Sequence, residues 1–453
     1  MFFNKKKNIS SLHLDHNKNT AECKPVRIPA PTEVILPMDM HSGHVAEPIV
    51  SVGDYVRVGQ LIAREEGRFS SPVHASVSGT VKAIEPLLRA SGKEVLTIVI
   101  ENDGKMEIDP SVKAPVINNC DEFLKAVQES GCVGLGGAAF PTWAKLNEMR
   151  NKEYTVDTVL VNAAECEPYI TSDHRMMVDH PELIVQGVEY LRTYMNEYLK
   201  DAKFMICIEK NKPDAIAKMK EVFAGKEYVE IQELKAIYPQ GAKQVMLYNA
   251  TGRVSIAGKR FPYFHAIIIN VSSLAKMAEY LSTGMPLVER IVTVDGSAVE
   301  NPMNLIAPIG TRISDLLKVT GLKAEPGKVI VGGPMNGNAV CSVEDPIVKV
   351  SNCLLAFDEK MAVLQQPSAC IHCGRCVSKC PIKINVPGVE EAMRQEDEDV
   401  KEQMLINTGV RQCVDCGCCS YVCPAHRPCL QTNQDAKWWL KSYAQSKKDG
   451  GRK

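Results

Sequence analysis

Two closely similar cysteine motifs near the carboxy terminus constrain this chain more than any other feature. Residues 370–381 read Cys-x2-Cys-x2-Cys-x3-Cys-Pro, and residues 413–424 repeat the same spacing. In bacterial ferredoxins, a tight loop with this spacing gives three thiolates to one 4Fe–4S cluster, and the cysteine before proline ligates the other cluster. The sequence therefore predicts two 4Fe–4S clusters with crossed ligation.

Each predicted cluster takes three ligands from its own motif and one from the other. Structural zinc sites are the alternative, but zinc binds two pairs of ligands and gives no reason for a third and a fourth cysteine at these spacings. We expect the nearby Cys418 and Cys429 to be packed thiols rather than ligands. The predicted ligand sets are Cys370, Cys373, Cys376 and Cys423 for one cluster, and Cys413, Cys416, Cys419 and Cys380 for the other.

The overall composition excludes several other classes of protein. Lys and Arg number 53 and Asp and Glu 54, so the net charge of −1 gives no general footprint for nucleic acid. The chain has 17 cysteines, but its start has no apolar export signal, which argues against an oxidising compartment and disulfides. Because no apolar run approaches the roughly 18 residues of a membrane span, we expect a cytoplasmic protein without a transmembrane segment of its own.

Changes in sequence pattern divide the chain into regions and predict a multidomain α/β and α+β protein. Short alternating apolar runs broken by Gly, Pro and Ser indicate a β module, and uniformly apolar strands alternating with helices indicate a parallel sheet covered on both faces. The predicted regions are a polar tail at 1–24, a barrel at 25–113, an α/β domain at 114–285, a small mixed module at 286–360, a cysteine region with little regular structure at 361–435 and a second tail at 436–453.

The predicted barrel resembles biotinyl and lipoyl domains in its segments 52–60 and 71–81. Such carriers need an exposed lysine in a hairpin, and residues 64–69 contain none, so we expect a docking or packing role. His41, His44 and His74 are irregularly spaced and are predicted to be surface or packed residues rather than metal ligands.

A glycine-rich loop, Gly-Leu-Gly-Gly-Ala-Ala-Phe-Pro at 134–141, follows the first predicted helix of the α/β domain. It is neither a Walker loop nor the usual dinucleotide fingerprint. Its small residues nevertheless let backbone amides approach a phosphate, and a predicted helix at 142–148 would direct its N-terminus toward that anion. A purely structural turn is the alternative interpretation.

The predicted strand 158–162 ends in an acidic turn, Ala-Ala-Glu-Cys-Glu-Pro at 163–168. Ligands of open α/β sheets bind beyond the carboxyl ends of the strands. Asn162, Glu165 and Glu167 therefore have the right place and chemistry to bind ribose hydroxyls or the edge of a flavin. A solvated acidic loop is the alternative.

Together, the glycine-rich loop and the Asn-Ala-Ala-Glu-Cys-Glu-Pro-Tyr-Ile-Thr-Ser-Asp segment resemble RnfC, the NADH-oxidising subunit of the Rnf electron-transport complex. They resemble the flavoprotein subunit of respiratory complex I more distantly. The resemblance covers residues 25–435 and implies an amino-terminal barrel-sandwich hybrid, a Rossmann-like flavin and NADH domain, a β-grasp module of the SLBB type and a ferredoxin-like domain with two clusters. It implies FMN as a cofactor and NADH as a substrate.

The resemblance also implies residue roles and partners. The expected partners are the other subunits of a membrane complex and, indirectly, ferredoxin, with this chain peripheral on the cytoplasmic side of the membrane. Ala164 stands where the complex I subunit has Asp, and that subunit has a different cluster arrangement. The implied FMN- and nucleotide-binding residues are Gly134, Gly136, Gly137, Ala138, Phe140, Asn162, Glu165, Glu167 and Asn270, with Glu165 and Glu167 also as candidate catalytic residues.

The predicted function is electron transfer between NADH and a partner through flavin and two 4Fe–4S clusters. One alternative is a paralogue that feeds a soluble reductase, such as an amino-acid reductase. Another is a non-catalytic electron wire or scaffold without flavin and NADH, which Ala164 favours and the intact Glu165 and Glu167 oppose. The sequence leaves open whether Trp438 and Trp439 lie at a membrane interface or pack against protein.

Overall fold

The computed structural model describes residues 9–65, 67, 69–89, 92–137, 139–151, 153–199 and 201–450. Ala138, one of the predicted loop residues, lies outside the described residues. The chain divides into two compact units. One unit contains His16–Leu234 and Phe261–Ala362, and the other contains Met1–Asp15, Lys235–Arg260 and Val363–Lys453.

Strands occur mainly in the first unit. They are β1 Val26–Arg27, β2 Glu33–Pro37, β3 Glu47–Pro48, β4 Tyr55–Val56, β5 Leu61–Arg64, β6 Val73–His74, β7 Gly79–Leu88, β8 Glu94–Asn102, β9 Thr158–Ala163, β10 Lys203–Glu209, β11 Val229–Leu234, β12 Ala266–Asn270, β13 Glu289–Asp295, β14 Met303–Pro308, β15 Lys328–Val331, β16 Asn338–Ala339 and β17 Cys353–Phe357.

Helices cover the α/β sheet and form most of the cysteine region. They are α1 Cys120–Glu129, α2 Thr142–Asn147, α3 Ser172–Asp179, α4 Pro181–Tyr194, α5 Asn196–Leu199, α6 Pro213–Val222, α7 Lys243–Thr251, α8 Val271–Thr283, α9 Ile313–Thr320, α10 Glu359–Ala362, α11 Arg375–Lys379, α12 Val386–Met393, α13 Glu398–Thr408, α14 Cys418–Tyr421 and α15 Cys429–Gly450.

The amino-terminal β module packs two small sheets around one apolar core. Its sheets have the strand orders β2-β8-β7-β4 and β3-β5-β6, with antiparallel pairing. Leu36, Ile62 and Ile98 are completely buried between them. Strand β1, which the sequence places at the start of this module, instead pairs in parallel with β14.

The α/β domain is built on a parallel sheet with the strand order β11-β10-β9-β12. Its strands are apolar along their length because helices cover both faces; Val159, Leu160 and Val161 of β9 are all completely buried. The chain proceeds outward from β9 through β10 to β11 and then returns to β12 on the other side of β9. The strand order therefore reverses between β9 and β12, which is where open α/β sheets bind ligands.

The module at 286–360 contains a mixed sheet with the order β1-β14-β13-β17-β15-β16 and the helix α9. Val292, Leu305 and Leu354 are completely buried in its core, together with Leu316 of α9. Strand β15 leads directly into the turn Gly332–Met335, which reaches the α/β domain.

The cysteine region is largely helical, so the expectation of little regular structure is wrong. Its ligand loops are followed by the short helices α11 and α14 and then by the longer helices α12 and α15. Val389, Leu405 and Leu440 of α12, α13 and α15 are buried in a common core. The motif residues interrupt helical periodicity, and the helices between and after them were not recognised from the sequence for that reason.

The described parts of both predicted polar tails contain packed residues. Near the amino terminus, Leu12 and Thr20 are buried. At the other end, residues 436–450 continue α15, because Ala436 and Leu440 occur one turn apart and both face the core. Among the described residues, no helix combines the length and apolarity needed to cross a membrane.

Candidate functional site

The crevice between β9 and β12 brings together residues from three separated segments. Asn162 and Asn270 are register partners at the carboxyl ends of these strands. The glycine-rich loop lies beside them: a β-carbon on Gly136 would be 3.2 Å from Nδ2 of Asn270. The structure thus places Asn162, Asn270 and Gly136 at the single edge of the sheet where the strand order reverses.

The glycine-rich loop closes on itself and exposes its tip. The Gly134 amide donates to the Phe140 carbonyl at 2.8 Å, and the Ala139 amide donates to the Gly134 carbonyl at 3.1 Å. Gly136 and Gly137 are exposed, and a β-carbon on Gly137 would meet no atom within 4 Å. Gly137 has a φ of 103°, which favours glycine. The open tip leaves room for a ligand to approach the backbone.

The helix that meets this loop is α8 rather than the helix expected directly after it. The expected helix at 142–148 is observed as the short α2, which ends at Asn147. In contrast, the Ser273 hydroxyl in the first turn of α8 accepts a hydrogen bond from the Leu135 amide at 2.9 Å. Asn270 caps α8 by accepting from the Ser273 amide at 3.0 Å. The positive end of the α8 dipole therefore faces the crevice, which favours an anionic group there.

Phe140 packs against the amino-terminal β module. Its ring centroid lies 5.5 Å from that of Phe69, with the ring planes tilted by 46°. The Ala139 carbonyl next to it accepts a hydrogen bond from the Ser42 amide at 2.9 Å. The Phe140 ring therefore packs against another aromatic ring instead of lying fully exposed.

Asp173 was not among the predicted site residues, but it links the crevice residues to one another. Its carboxylate accepts hydrogen bonds from Nδ2 of Asn270 at 2.7 Å and from the Ser272 hydroxyl at 2.5 Å. Asp173 is buried, with 8% of its surface exposed. It belongs to the Thr-Ser-Asp segment of the resemblance, so only that segment could have indicated it. Asp173 fixes the orientation of the Asn270 amide at the crevice.

The Glu165 carboxylate caps α3 from within the acidic turn. It accepts hydrogen bonds from the Asp173 amide at 2.6 Å and from the His174 amide at 3.3 Å. Burial raises the pKa of Glu165 to about 7, although the positive charges of Lys18 and Lys212 act in the opposite direction. Glu165 can therefore hold or release a proton near neutral pH, in the turn that follows β9.

The Glu167 carboxylate instead binds the module at 286–360. Its Oε2 accepts a hydrogen bond from the Met335 amide at 3.0 Å, and a β-carbon added to Gly333 would clash with the same oxygen. Glu167 is 8% exposed. Glu167 therefore links the turn at 332–335 to the acidic turn.

These residues fit a phosphorylated flavin in chemistry and in access. Exposed glycine backbone and the α8 N-terminus suit a phosphate, and the amides of Asn162 and Asn270 suit the hydrogen-bonding edge of the ring. Glu165, Asn162 and Cys166 remain partly exposed along the same rim. The side chain of Asp173 is committed to neighbours, so it shapes this rim without presenting a free carboxylate.

The first predicted set of cluster ligands lines one pocket. The wall of this pocket includes all four cysteines of the set together with Glu390, Arg427 and Cys429. Cys370 and Cys373 are exposed. The fourth ligand, Cys423, comes from the other motif, as crossed ligation requires.

The second set also comes together around a cysteine from the opposite motif. Burial raises the pKa of Cys380, and the nearby thiols of Cys416 and Cys419 raise it further. Cys413 and Cys419 share a neighbour, since Nδ2 of Asn433 lies 3.8 Å from Sγ of Cys413 and 3.9 Å from Sγ of Cys419. Cys380 and Cys419 are buried.

The two ligand loops have the same backbone conformation. Residues in the left-handed region recur at equivalent positions: His372 and Asp415, Gly374 and Gly417, and Lys383 and His426. The Ile384 amide donates to Sγ of Cys380 at 3.4 Å, and the Arg427 amide donates to Sγ of Cys423 at the same distance. Hydrogen bonds of this kind stabilise thiolate ligands.

The cysteine arrangement fits cubane clusters. Among the described residues, no three His, Cys, Asp or Glu side chains converge on a point that would hold one ion. A cubane instead takes one thiolate at each of four irons, so its ligands surround a wider space. Cys418 and Cys429 are buried beside the sets, which agrees with packed thiols.

Comparisons with known proteins match three segments of the chain. The RnfC barrel sandwich hybrid domain matches residues 9–105, the Nuo51 FMN-binding domain matches residues 127–279, and the 4Fe-4S dicluster domain matches residues 362–424. The predicted barrel-sandwich, flavin and dicluster architecture is confirmed.

Curated relatives align over most of the chain, and each is a subunit of a redox complex. The relative from the Na(+)-translocating ferredoxin:NAD(+) oxidoreductase complex of Acetobacterium woodii is 38% identical over 365 residues, which cover 80% of this chain and 81% of that protein. The relative from the proton-translocating complex of Clostridium ljungdahlii is 35% identical over 401 residues, 86% of each chain. The relative from the ion-translocating oxidoreductase complex of Serratia proteamaculans is 36% identical and covers 82% of this chain, which spans 52% of that longer protein.

Proposed function

The chain belongs to the RnfC family, and on this basis we propose that it is the subunit of an ion-translocating ferredoxin:NAD+ oxidoreductase complex that exchanges electrons with NADH. The observation that supports the proposal is that one chain carries both the crevice between β9 and β12 and two groups of cysteines with ferredoxin spacing. An electron carrier that lacked the crevice would need only the cysteine region.

Within this proposal, the chain's own residues bind and orient the two nucleotides. The exposed Gly136 and Gly137 and the N-terminus of α8 hold the FMN phosphate, while Asn162 and Asn270 hydrogen-bond the ring or the nicotinamide nucleotide. Bound FMN supplies the exchange between the two-electron chemistry of NADH and the one-electron chemistry of 4Fe–4S clusters. Glu165 takes up or releases a proton in the acidic turn beside the crevice, and Glu167 fixes the neighbouring turn.

The chain's partners are the other subunits of such a complex, with ferredoxin as a more remote redox partner. We place the chain at the cytoplasmic face of the membrane, held there by those subunits. The named relatives are subunits of ion-translocating complexes, which favours this assignment over a paralogue that feeds a soluble reductase.

The proposal is tested with the full chain purified anaerobically and reconstituted with iron, sulfide and FMN. Visible and EPR spectra are recorded before and after NADH is added. We expect NADH to bleach the flavin and then the clusters. If the clusters form and FMN is supplied but NADH causes no change, the NADH-entry function is wrong and an electron wire or scaffold remains.

A variant at the loop tip locates the flavin. Gly136→Val introduces a branched side chain 3.2 Å or less from the Asn270 amide, within the approach to the loop. We expect loss of FMN binding with unchanged iron content, since the cysteine region provides an internal control in the same molecule. Wild-type FMN binding by this variant would place the flavin elsewhere.

A further inference from the structure

The acidic turn that carries Glu165 and Glu167 is held by an ammonium group from outside the α/β domain. Nζ of Lys18 lies 2.9 Å from the Glu165 carbonyl oxygen, 2.9 Å from that of Glu167 and 2.5 Å from that of Ile170. An ammonium group has three donors, and here each donor has one carbonyl of the same turn.

This turn needs such support because part of its backbone is strained. Glu165 has a φ of 48° and Tyr169 a φ of 71°, and neither is glycine. Non-glycine residues in this region are costly and persist only where the surroundings fix them. Lys18 binds the carbonyl of Glu165 itself, that of Ile170 next to Tyr169 and that of Glu167 between the two strained residues, so the ammonium group stabilises the strained conformation directly.

The segment that carries Lys18 lies along the turn and the following helix. The Tyr169 amide donates to the His16 carbonyl at 2.9 Å, and the Thr20 and Thr171 hydroxyls are 2.5 Å apart. Nη1 of Arg175 donates to the Ala21 carbonyl at 3.0 Å. Residues 16–21, expected from sequence to be part of a tail, thus form a strap that places Lys18 on the turn.

Lys18 also acts on Glu165 through its charge. Lys18 as a residue is only partly buried, but its ammonium group is desolvated, which lowers its pKa to about 8. Among the charges that favour ionised Glu165, Lys18 has the largest effect. Among the described residues, the other charged or titratable groups around Glu165 and Lys18 belong to five elements: Glu209 ends β10, Lys212 precedes α6, Asp173 and His174 belong to α3, Cys166 and Glu167 to the turn itself, and Cys353 to β17.

We propose that Lys18 is a positioning residue of the nucleotide site, which fixes the Glu165–Ile170 turn and supplies the positive charge that acts most strongly on Glu165. The inference rests on the proposed function, in which this turn borders the flavin and NADH. Lys18 touches neither nucleotide; it acts through the turn. Lys212 assists by donating to the Ala164 carbonyl at 2.6 Å, but it belongs to the α/β domain itself.

The test compares Lys18→Met with Asn19→Ala in the full reconstituted chain. Asn19 lies on the same strap, and its Nδ2 donates to Asp295 at 3.1 Å, so its loss removes one contact of the strap while the bonds of His16, Thr20 and Ala21 that hold Lys18 on the turn stay in place. The measurements are FMN affinity by fluorescence titration and the pH dependence of flavin bleaching by NADH in single turnover. The second measurement separates a charge effect from a loss of stability.

We expect Lys18→Met to weaken FMN binding by about tenfold, since three carbonyls lose their donor. Because the charge that favours ionised Glu165 is gone, the pKa of Glu165 rises further, and the pH midpoint of bleaching moves upward by about one unit or more. Asn19→Ala should leave both values unchanged. Wild-type affinity and midpoint in Lys18→Met would overturn the inference.

Lys18→Arg continues the test if Lys18→Met does not fold. Arginine keeps the positive charge, but its planar fork cannot direct three donors from one nitrogen. FMN affinity should therefore fall while the pH midpoint stays at the wild-type value, and unchanged affinity would overturn the inference. If the wild-type chain itself does not react with NADH, the proposed function falls together with this role of Lys18; if the wild type reacts and Lys18→Met behaves identically, only the role of Lys18 falls.

Discussion

The two cysteine motifs have the same backbone but different surroundings. Both loops place equivalent residues in the left-handed region and both direct an amide at the sulfur of the cysteine before proline. Around the first loop, Cys370, Ile371 and Cys373 are exposed, and Ile371 has 65% of its surface accessible. At the equivalent positions of the second loop, Cys413, Val414 and Cys416 are only partly exposed.

The helix after each loop explains this difference. Helix α12 is short and ends at Met393, whereas α15 continues from Cys429 to Gly450 and lies over the second loop. Glu390 of α12 corresponds in position to Asn433 of α15. Glu390 is held by Arg394 and Arg427, whereas the Asn433 amide approaches two ligand sulfurs. The repeat thus fixes how the thiolates are arranged, and the non-repeated neighbours set charge and solvent access, which tune cluster potentials.

The largest expected effect tests crossed ligation. Replacing Cys423 with Ser should remove the cluster of the first loop, although Cys423 belongs to the second motif, because its sulfur lines the pocket of Cys370 and Cys373. Iron content should fall from about eight to about four per chain. The EPR spectrum of Cys423→Ser should match that of Cys370→Ser and differ from that of Cys413→Ser. A match to Cys413→Ser instead would show that each motif ligates its own cluster.

The second prediction, with a smaller expected effect, concerns the protection of the second cluster loop by α15. Leu440 is 2% exposed in the core of the cysteine region, and Leu440→Ala should cost about 2–5 kcal/mol of packing. We expect the cluster of the second loop to lose iron to a chelator faster, approaching the rate of the exposed first cluster. Trp438→Ala is the matched control on the same helix, since Trp438 is 69% exposed and should leave the rates unchanged. Equal acceleration for both clusters in Leu440→Ala would show that α15 supports the whole region rather than one loop.

The smallest expected effect concerns the potentials of the two clusters. Glu390→Gln removes a negative charge beside the first pocket and should raise that cluster's potential by roughly tens of millivolts, where 59 mV is about tenfold in a one-electron equilibrium. Asn433→Leu removes the amide donor and should lower the potential of the second cluster, because donors to sulfur stabilise the reduced state. Redox titration followed by EPR measures both. A shift of the wrong cluster in either variant would contradict the separation of the two environments.

Some parts of the molecule could be predicted from the sequence and others could not. Cysteine spacing predicted the ligand sets that the structure brings together, since ligation by a tight loop depends on local sequence. The apolar strand β9 was equally recognisable, and so was the position of Asn162 at its end. In contrast, the helices of the cysteine region and the packing of both termini were missed, because their apolar residues are sparse and gain their meaning from partners distant in sequence.

The contacts of the acidic turn also could not be predicted from the sequence. Sequence position placed Glu165 and Glu167 at the carboxyl end of β9, but it could not show that one caps α3 and the other binds the Met335 amide. The roles of Glu165 and Glu167 in nucleotide binding and catalysis remain predictions. The sequence alone also offered no reason to connect Lys18 with a turn more than a hundred residues away.

The sequence by itself determined the cluster chemistry, the α/β class of the domain around β9 and the family resemblance. Only the tertiary structure decided that α8 and Asp173 complete the crevice, that α15 covers one cluster loop and leaves the other open, and that Lys18 holds the acidic turn. The physical reason is that ligand spacing and strand periodicity are properties of neighbouring residues, whereas burial, charge pairing and the support of strained backbone are set by atoms that the fold brings together from distant parts of the chain.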